Sequence, residues 1–184
     1  MFFCVLFVLS GSFLTQTNIS GIIYKIMDPF EKISHSVDTL FGTGVSKNIP
    51  KDIDFKMSKK TGRIRAVYHN GLLLFTPRTD GGIAMSIYCA ELFSKNKKFI
   101  NDYCIEVDAD SKPFVEQGKS VFCQHVTRCG SKIEIGSDVP IFFKKQIIAV
   151  GKSILSSNMI KTQSRGMAIR VRDSLKSQTD GGQS

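Results

Sequence analysis

No two of the five cysteines in this 184-residue chain stand as a CxxC pair, and five is an odd number. The first absence excludes a zinc ribbon and the second a fully paired disulfide scaffold. Cys4, Cys89, Cys104, Cys123 and Cys129 read as reduced thiols lying in apolar runs, where cysteine behaves as a small hydrophobe. A redox pair of Cys123 and Cys129 is the other reading. The histidines are His35, His69 and His125, with no HxxxH and no Cys–His spacing, so no metal is expected. Cys123 and His125 share a strand face but lack an evident third group to orient the base, and a nucleophilic pair is not expected. Asp108 and Asp110 read as a loop that caps the short helix at Pro113. The chain is expected to hold no catalytic site and no cofactor.

Acidic residues are scarce as well, 16 against 25 Lys plus Arg, for a formal charge of +9. A surplus of this size favours a polyanionic partner. The apolar opening, Met1 to Leu14, has no Lys or Arg before it. It lacks the basic start of a signal peptide and the length to cross a bilayer, so no membrane partner and a cytoplasmic location are expected. Asp28-Pro29-Phe30-Glu31 has helix-start chemistry: Asp can cap, Pro suits the first helical position and Glu favours the N-terminal dipole. Translation starting at Met27 is therefore expected, with residues 1–26 an apolar extension that carries one basic residue, Lys25.

What remains is a globular composition, 42% hydrophobic and 22% charged. Phe30, Ile33, Val37, Leu40 and Phe41 recur at helical spacing until Gly42 and Gly44. Arg63 to Tyr68 alternates up to Asn70-Gly71, and Leu72 to Thr76 follows. The positive backbone angles that Asn-Gly supplies predict a hairpin there. Ile83 to Phe93 is apolar at nearly every position and reads as one buried helix, with Lys95, Lys97 and Lys98 after it.

The second half changes to short strands, Tyr103–Val107, Ser120–Val126, Val139–Phe143, Gln146–Val150 and Met167–Val171, with Lys144-Lys145 at one hairpin tip. Such a run predicts a small closed or partly closed barrel. The fold class expected is α+β, with a helix-hairpin-helix domain at 27–100, a β-barrel domain at 101–173 and a disordered tail at 174–184.

Three ordered motifs carry a family likeness. Phe114-Val115-Glu116-Gln117-Gly118-Lys119-Ser120-Val121-Phe122, then Ala149-Val150-Gly151-Lys152, then Arg165-Gly166-Met167-Ala168-Ile169-Arg170-Val171-Arg172 resemble the PUA domain. They look most like its version at the C-terminus of archaeal tRNA-guanine (archaeosine) transglycosylases. Phe41-Gly42-Thr43-Gly44, Lys60 to Tyr68 and Asp80-Gly81-Gly82 are similar to the small α+β domain before it, so the resemblance covers about residues 30–173. It implies a PUA pseudobarrel that holds the acceptor end of tRNA. The base-exchanging barrel of those enzymes, with its aspartates and zinc cysteines, has no counterpart here.

The RNA site implied comprises Gly118, Lys119, Ser120, Phe122, Gln124, Lys152, Arg165, Gly166, Arg170 and Arg172. Gly118 allows close backbone approach to a ligand and Lys119 can reach a phosphate, although the step also reads as a helix C-cap glycine followed by a solvated lysine. Arg170 and Arg172, two apart on a strand, share a face and could form a basic groove with Arg165, or an ordinary charged surface. Ser120 and Gln124 stand where the family usually has Asn and frequently Lys, which removes one cation. Phe122 reads as a stacking platform or as core.

The function this implies is non-catalytic binding of tRNA or other structured RNA in support of tRNA modification. The partner would be a catalytic transglycosylase chain, of which this is the RNA-binding half. The other reading is a ribosome-associated protein that binds rRNA.

Overall fold

The computed structural model describes residues 27–176, together with the backbone of two paired strands, β1 (Thr15–Thr17) and β2 (Ile23–Lys25). The expectations for the rest of residues 1–26, and for the tail from 177 onward, fall outside the described residues. No helix among the described residues is long and apolar enough to cross a membrane.

The first unit opens with α1 (Pro29–Phe41). The Asp28 side chain accepts a hydrogen bond from the Glu31 N–H at 3.3 Å, and Pro29 occupies the first helical position. Ile33, Val37 and Phe41 form its buried stripe, and the chain leaves the helix at Gly42 with φ +94°.

A four-stranded antiparallel sheet follows in the order β3 (Ile53–Met57), β4 (Ile64–His69), β5 (Leu72–Pro77), β6 (Ile83–Met85). The β4–β5 turn is Asn70-Gly71, with φ +50° and +77°. β3 was not foreseen, because an edge strand bearing outward Asp54 and Lys56 looks polar in sequence.

The single helix expected over 83–93 is two elements. Ile83 to Met85 pairs with β5, Ser86 accepts a hydrogen bond from the Cys89 N–H, and α2 (Ile87–Phe93) begins behind that cap. A run that is apolar throughout has no period to tell strand from helix. α3 (Lys97–Tyr103) follows, capped by Asn96, and takes Tyr103 out of the strand expected to start there. The unit is thus one long helix, a four-stranded sheet and two short helices.

The second unit is a six-stranded, nearly closed barrel in the order β8–β12–β11–β10–β7–β9. β7 is Ile105–Val107, β10 Asp138–Phe143, β11 Gln146–Ser153 and β12 Met167–Ser174. The strand expected over 120–126 is broken. β8 (Val121–Phe122) ends in a 3-10 turn at Cys123–His125, and β9 (Val126–Cys129) starts after it. β8 and β9 are the two ends of the sheet, so that turn joins the barrel's edges covalently. Two short helices cover the ends, α4 (Lys112–Glu116) and α5 (Ser157–Thr162). Ser174 is buried and ends β12, so the barrel runs one residue past the boundary expected at 173.

The two units share the β10–β11 ribbon. One face of it, Phe142, Ile147 and Val150, completes the first core beside Phe75, Phe93 and Phe99. The other, Ile141, Ile148 and Ala149, belongs to the barrel core with Val121 and Ile169. The β10–β11 turn is Lys144-Lys145, both at positive φ, +46° and +68°. That conformation is strained for L-residues and not for glycine. Lys145→Gly is therefore expected to stabilise the protein by about 1 kcal/mol, raising the melting temperature by roughly 2–4 °C for a chain of this size. A drop in melting temperature would count against this turn geometry.

Candidate nucleic-acid interface

The Gly118 loop is built by the end of α4. The N–H of Gly118 donates to the Val115 carbonyl at 2.9 Å, and that of Lys119 donates to the Phe114 carbonyl, also at 2.9 Å. This double closure around a residue at φ +83° is a Schellman ending. Gly118 is thus the C-cap glycine, and a Cβ there would lie 3.6 Å from Ser174 Oγ. The cap turns the chain along β12 and leaves Lys119 exposed at the corner.

Beyond the corner, Val121 pairs with Ile169 and Phe122 with Met167, both antiparallel. Ser120 precedes Val121 as Arg170 follows Ile169, so Ser120 and Arg170 lie at one level of the ribbon. On the other side of β12, Arg170 pairs directly with Lys152 of β11. Lys152, Arg170 and Ser120 therefore form one rung across β11, β12 and β8. Arg170 and Lys152 are exposed while their neighbours Ile169 and Ser153 are buried, so both cations stand on the outer face. Phe122 is 47% exposed on that ribbon, which settles its place outside the core. Arg165 and Gly166 are exposed in the loop that enters β12, where the Gly166 carbonyl accepts the Cys123 N–H at 3.0 Å. Gln124 is exposed and its amide nitrogen lies 3.0 Å from His125 Nε2. Phe114, 59% exposed beside the Gly118 loop, was missed, since an aromatic on a short helix gives no sign of which way it faces.

Arg172 departs from the expected groove. The pairing of β11 with β12 slips between Val150 and Gly151, so that Val150 opposes Asp173 and Gly151 opposes Val171. Arg172 sits in the resulting bulge, and its Nη2 donates to the Met85 carbonyl at 2.7 Å and to Asp138 Oδ2 at 2.8 Å. Asp138 Oδ2 also accepts the Met85 N–H. The guanidinium therefore ties the barrel to the first unit instead of standing beside Arg170. Burial lifts the Asp138 pKa to about 6, against the pull of Arg172 and the Met85 N–H, and its Oδ1 has no partner.

Next to this latch, Arg78 Nη2 donates to the Gly136 carbonyl at 2.9 Å, and its Nε donates to Asp80 at 3.0 Å. The Gly82 N–H, followed by Arg78, holds the Asp80 carboxyl below its usual range. A Cβ on Gly136 would lie 3.5 Å from Lys152 Cε, so the Arg78 and Lys152 side chains flank the same turn. Arg78 and Gly136 line a cleft of about 680 Å³ between the units.

The Cys123–His125 pair does have a third group: His125 Nδ1 lies 2.9 Å from Asp108 Oδ2. Asp108 Oδ1 also accepts the Ser111 N–H at 2.8 Å, as a residue of the loop before α4. Cys123, however, is buried, and desolvation raises its thiol pKa. A neutral thiol is a poor nucleophile, so the arrangement works as a structural brace. The described residues gather no group of three His, Cys, Asp or Glu able to hold a metal.

Comparison with known families matches residues 103–175 to the PUA domain and residues 32–98 to the patch-forming domain C2 of tRNA-guanine transglycosylase. The tRNA-guanine(15) transglycosylase of Methanobrevibacter smithii is 29% identical over 158 residues, covering 81% of this chain. The match takes in 23% of that enzyme, so the chain spans about a quarter of its length. A hypothetical protein from Pyrococcus horikoshii superimposes with a TM-score of 0.62 at 18% identity, covering 79% of this chain and 89% of that one. A conserved PUA domain protein from Thermoplasma acidophilum gives 0.54 at 15% identity, covering 80% and 91%. At such identities these two structures speak for the fold alone. The two units thus have their counterparts side by side in one type of enzyme, and the chain is a PUA-domain protein related to the C-terminal part of archaeal tRNA-guanine transglycosylase.

Proposed function

We propose that the chain binds structured RNA, and tRNA in particular at its acceptor end, through the outer face of β8, β12 and β11. The observation that carries this reading is the rung of Lys152, Arg170 and Ser120, bordered by the exposed ring of Phe122. Two adjacent cations and a hydroxyl suit phosphate oxygens, which position a nucleic acid without reading its sequence. An exposed aromatic beside them suits an unstacked base at a strand end or loop. Lys119 and Arg165 extend the positive face at either end, and Gly118 acts by shaping the corner. Arg172 contributes indirectly, by holding the barrel against the first unit.

In this reading the chain supplies the RNA grip and a separate cytoplasmic transglycosylase chain supplies the chemistry. Support comes from its kinship with a quarter of a tRNA-modifying enzyme. Each cation that neutralises a phosphate contributes ~0.7–0.9 to the slope of log affinity against log salt. The double variant Lys152→Ala, Arg170→Ala should therefore bind tRNA more weakly with a slope flatter by ~1.4–1.8, while Lys95→Ala, on an exposed site beyond α2, should change neither. Removing the 3′ end of the tRNA should weaken binding to the unmodified chain and matter little to the double variant. Equal affinity for trimmed and intact tRNA would remove the acceptor-end assignment, and unchanged binding by the double variant would move the site off this rung. Co-sedimentation with ribosomes rather than capture of tRNA would favour an rRNA partner.

A further inference from the structure

We propose that the first unit carries its own phosphodiester-binding cleft, formed by Lys32, Arg63 and Arg65, and that one RNA runs from it past Arg78 to the Lys152–Arg170 rung. This rests on the reading that the rung binds RNA, and extends the bound surface onto a unit to which the rung assigns no contact.

The cleft, of about 530 Å³, lies between α1 and the start of β4, and no carboxylate lines it. Lys32 and Ser36 are one helical turn apart on α1 and so face the same way. Arg63 and Arg65 are two apart at the start of β4 and share the opposite wall. All three cations are exposed, and none has a carboxylate partner among the described residues. Arg78, Lys112, Arg128, Lys132 and Arg172 do each reach a carboxylate, so what sets the cleft apart is that it gathers three cations in one concave wall that no carboxylate lines. A concave site that gathers positive charge with no acid in its wall suits an anion arriving from outside.

The wall also offers hydroxyls from Thr61 and Thr76, while the Ser36 hydroxyl donates to the Lys32 carbonyl. Its outer loop is held in shape: the Ser58 N–H donates to the Arg63 carbonyl and the Gly62 N–H to the Ser58 carbonyl, each at 2.8 Å. Lys59 and Lys60, exposed on this loop, add charge beside the cleft. A fixed set of guanidinium, ammonium and hydroxyl donors matches phosphate oxygens.

Continuity with the barrel comes through Arg78. It lines both this cleft and the one between the units, and the Gly136 turn that it grips lies against the Lys152 side chain of β11. In the proposed path the phosphates run from Arg63 and Arg65, past Arg78, to Lys152 and Arg170. Arg78 Nε and Nη2 are already held by Asp80 and the Gly136 carbonyl, so Arg78 marks the continuity of the surface and the cations on either side supply the phosphate contacts. A single phosphate group would fill only the first part of that path.

The experiment uses the full chain and a tRNA transcript, with affinity measured from low to physiological salt. The triple variant Lys32→Ala, Arg63→Ala, Arg65→Ala changes only exposed side chains. It should keep the original melting temperature and flatten the salt slope by ~0.7–0.9 for each phosphate left without its cation, with at least tenfold weaker binding at physiological salt. Arg65→Glu alone should weaken binding further than Arg65→Ala. If the unmodified chain binds tRNA and the Lys152, Arg170 double variant is impaired, yet the triple variant binds with full affinity and slope, the cleft proposal is overturned while the rung stands. If the triple variant is impaired and the double variant is not, the cleft holds RNA and the rung reading fails. Uptake of inorganic phosphate with an unaltered tRNA slope would make the cleft a small-anion site and overturn the proposal.

Discussion

Arg172→Ala is expected to lower stability by about 2–3 kcal/mol at pH 8 and by only about 1 kcal/mol at pH 5. The substitution leaves Asp138, whose side chain is 1% exposed, without its guanidinium. Removing one partner of a buried ion pair usually costs more than that, but Arg172 is itself 38% exposed, which reduces the loss. The pH dependence follows from Asp138. Its folded pKa of about 6 lies above that of a free aspartate, so folding favours the neutral acid. The stabilisation contributed by that neutral form is complete below pH ~4 and fades as pH rises through 6, a span of roughly 3 kcal/mol.

Above pH 6 the carboxylate is ionised and needs Arg172, and below it the cation is nearly dispensable. Asp138→Asn should remove this dependence, and adding it to Arg172→Ala should restore stability at pH 8 relative to Arg172→Ala alone. Denaturant unfolding of the three variants at pH 5 and pH 8 makes the comparison. A loss from Arg172→Ala that is equal at both pH values would mean that the pair does not govern the join between the units.

Gly151→Ala should cost about 3 kcal/mol, near the top of the range for overpacking a fixed site, and should abolish most RNA affinity. A Cβ at this position would meet the Arg170 carbonyl oxygen of β12, and would lie 2.8 Å from Ile169 Cγ2 and 2.9 Å from the Arg170 carbonyl carbon. Backbone atoms cannot swing aside as a flexible side chain would, so β11 and β12 must separate at the level of Lys152 and Arg170.

Gly130→Ala provides the comparison. Its Cβ would stand 2.6 Å from the Asp102 carbonyl carbon and 2.9 Å from the Tyr103 nitrogen, at the far side of the barrel by β9. It should destabilise the protein comparably and leave tRNA affinity intact where both variants are folded. Thermal melts and tRNA titrations at low temperature separate the effects. Parallel loss of affinity in both would mean that binding reports stability and not the spacing of the rung.

Local chemistry wrote several elements directly into the chain. Asp28-Pro29 starts α1 and Gly42 ends it because capping and a positive φ involve only neighbouring residues. Asn70-Gly71 and Lys144-Lys145 mark turns for the same reason, and the Gly118 step, legible as a helix cap, is one. The alternation of Arg170 against Ile169 followed from the two-residue period of a strand, which placed a cation outside without any knowledge of its partner.

Other features depended on contacts between distant parts of the chain. Whether Ile83–Met85 was strand or helix was decided by β5, which supplies the missing hydrogen-bond partners. Phe122 is outside because it alternates with Val121, which the barrel core buries, and its 47% exposure shows that no described residue packs over it on the outer face. The cleft of Lys32, Arg63 and Arg65 draws on two elements separated by a long stretch of sequence. Arg170 and Arg172 show the division most clearly. Spacing put both on one face, but a slip of register placed Arg172 in a bulge, within reach of an aspartate 34 positions away. Residue type and period determined where cations could emerge. Only the folded arrangement of their acidic neighbours determined which remained available to a ligand, because charge pairing depends on distance in space and not along the chain.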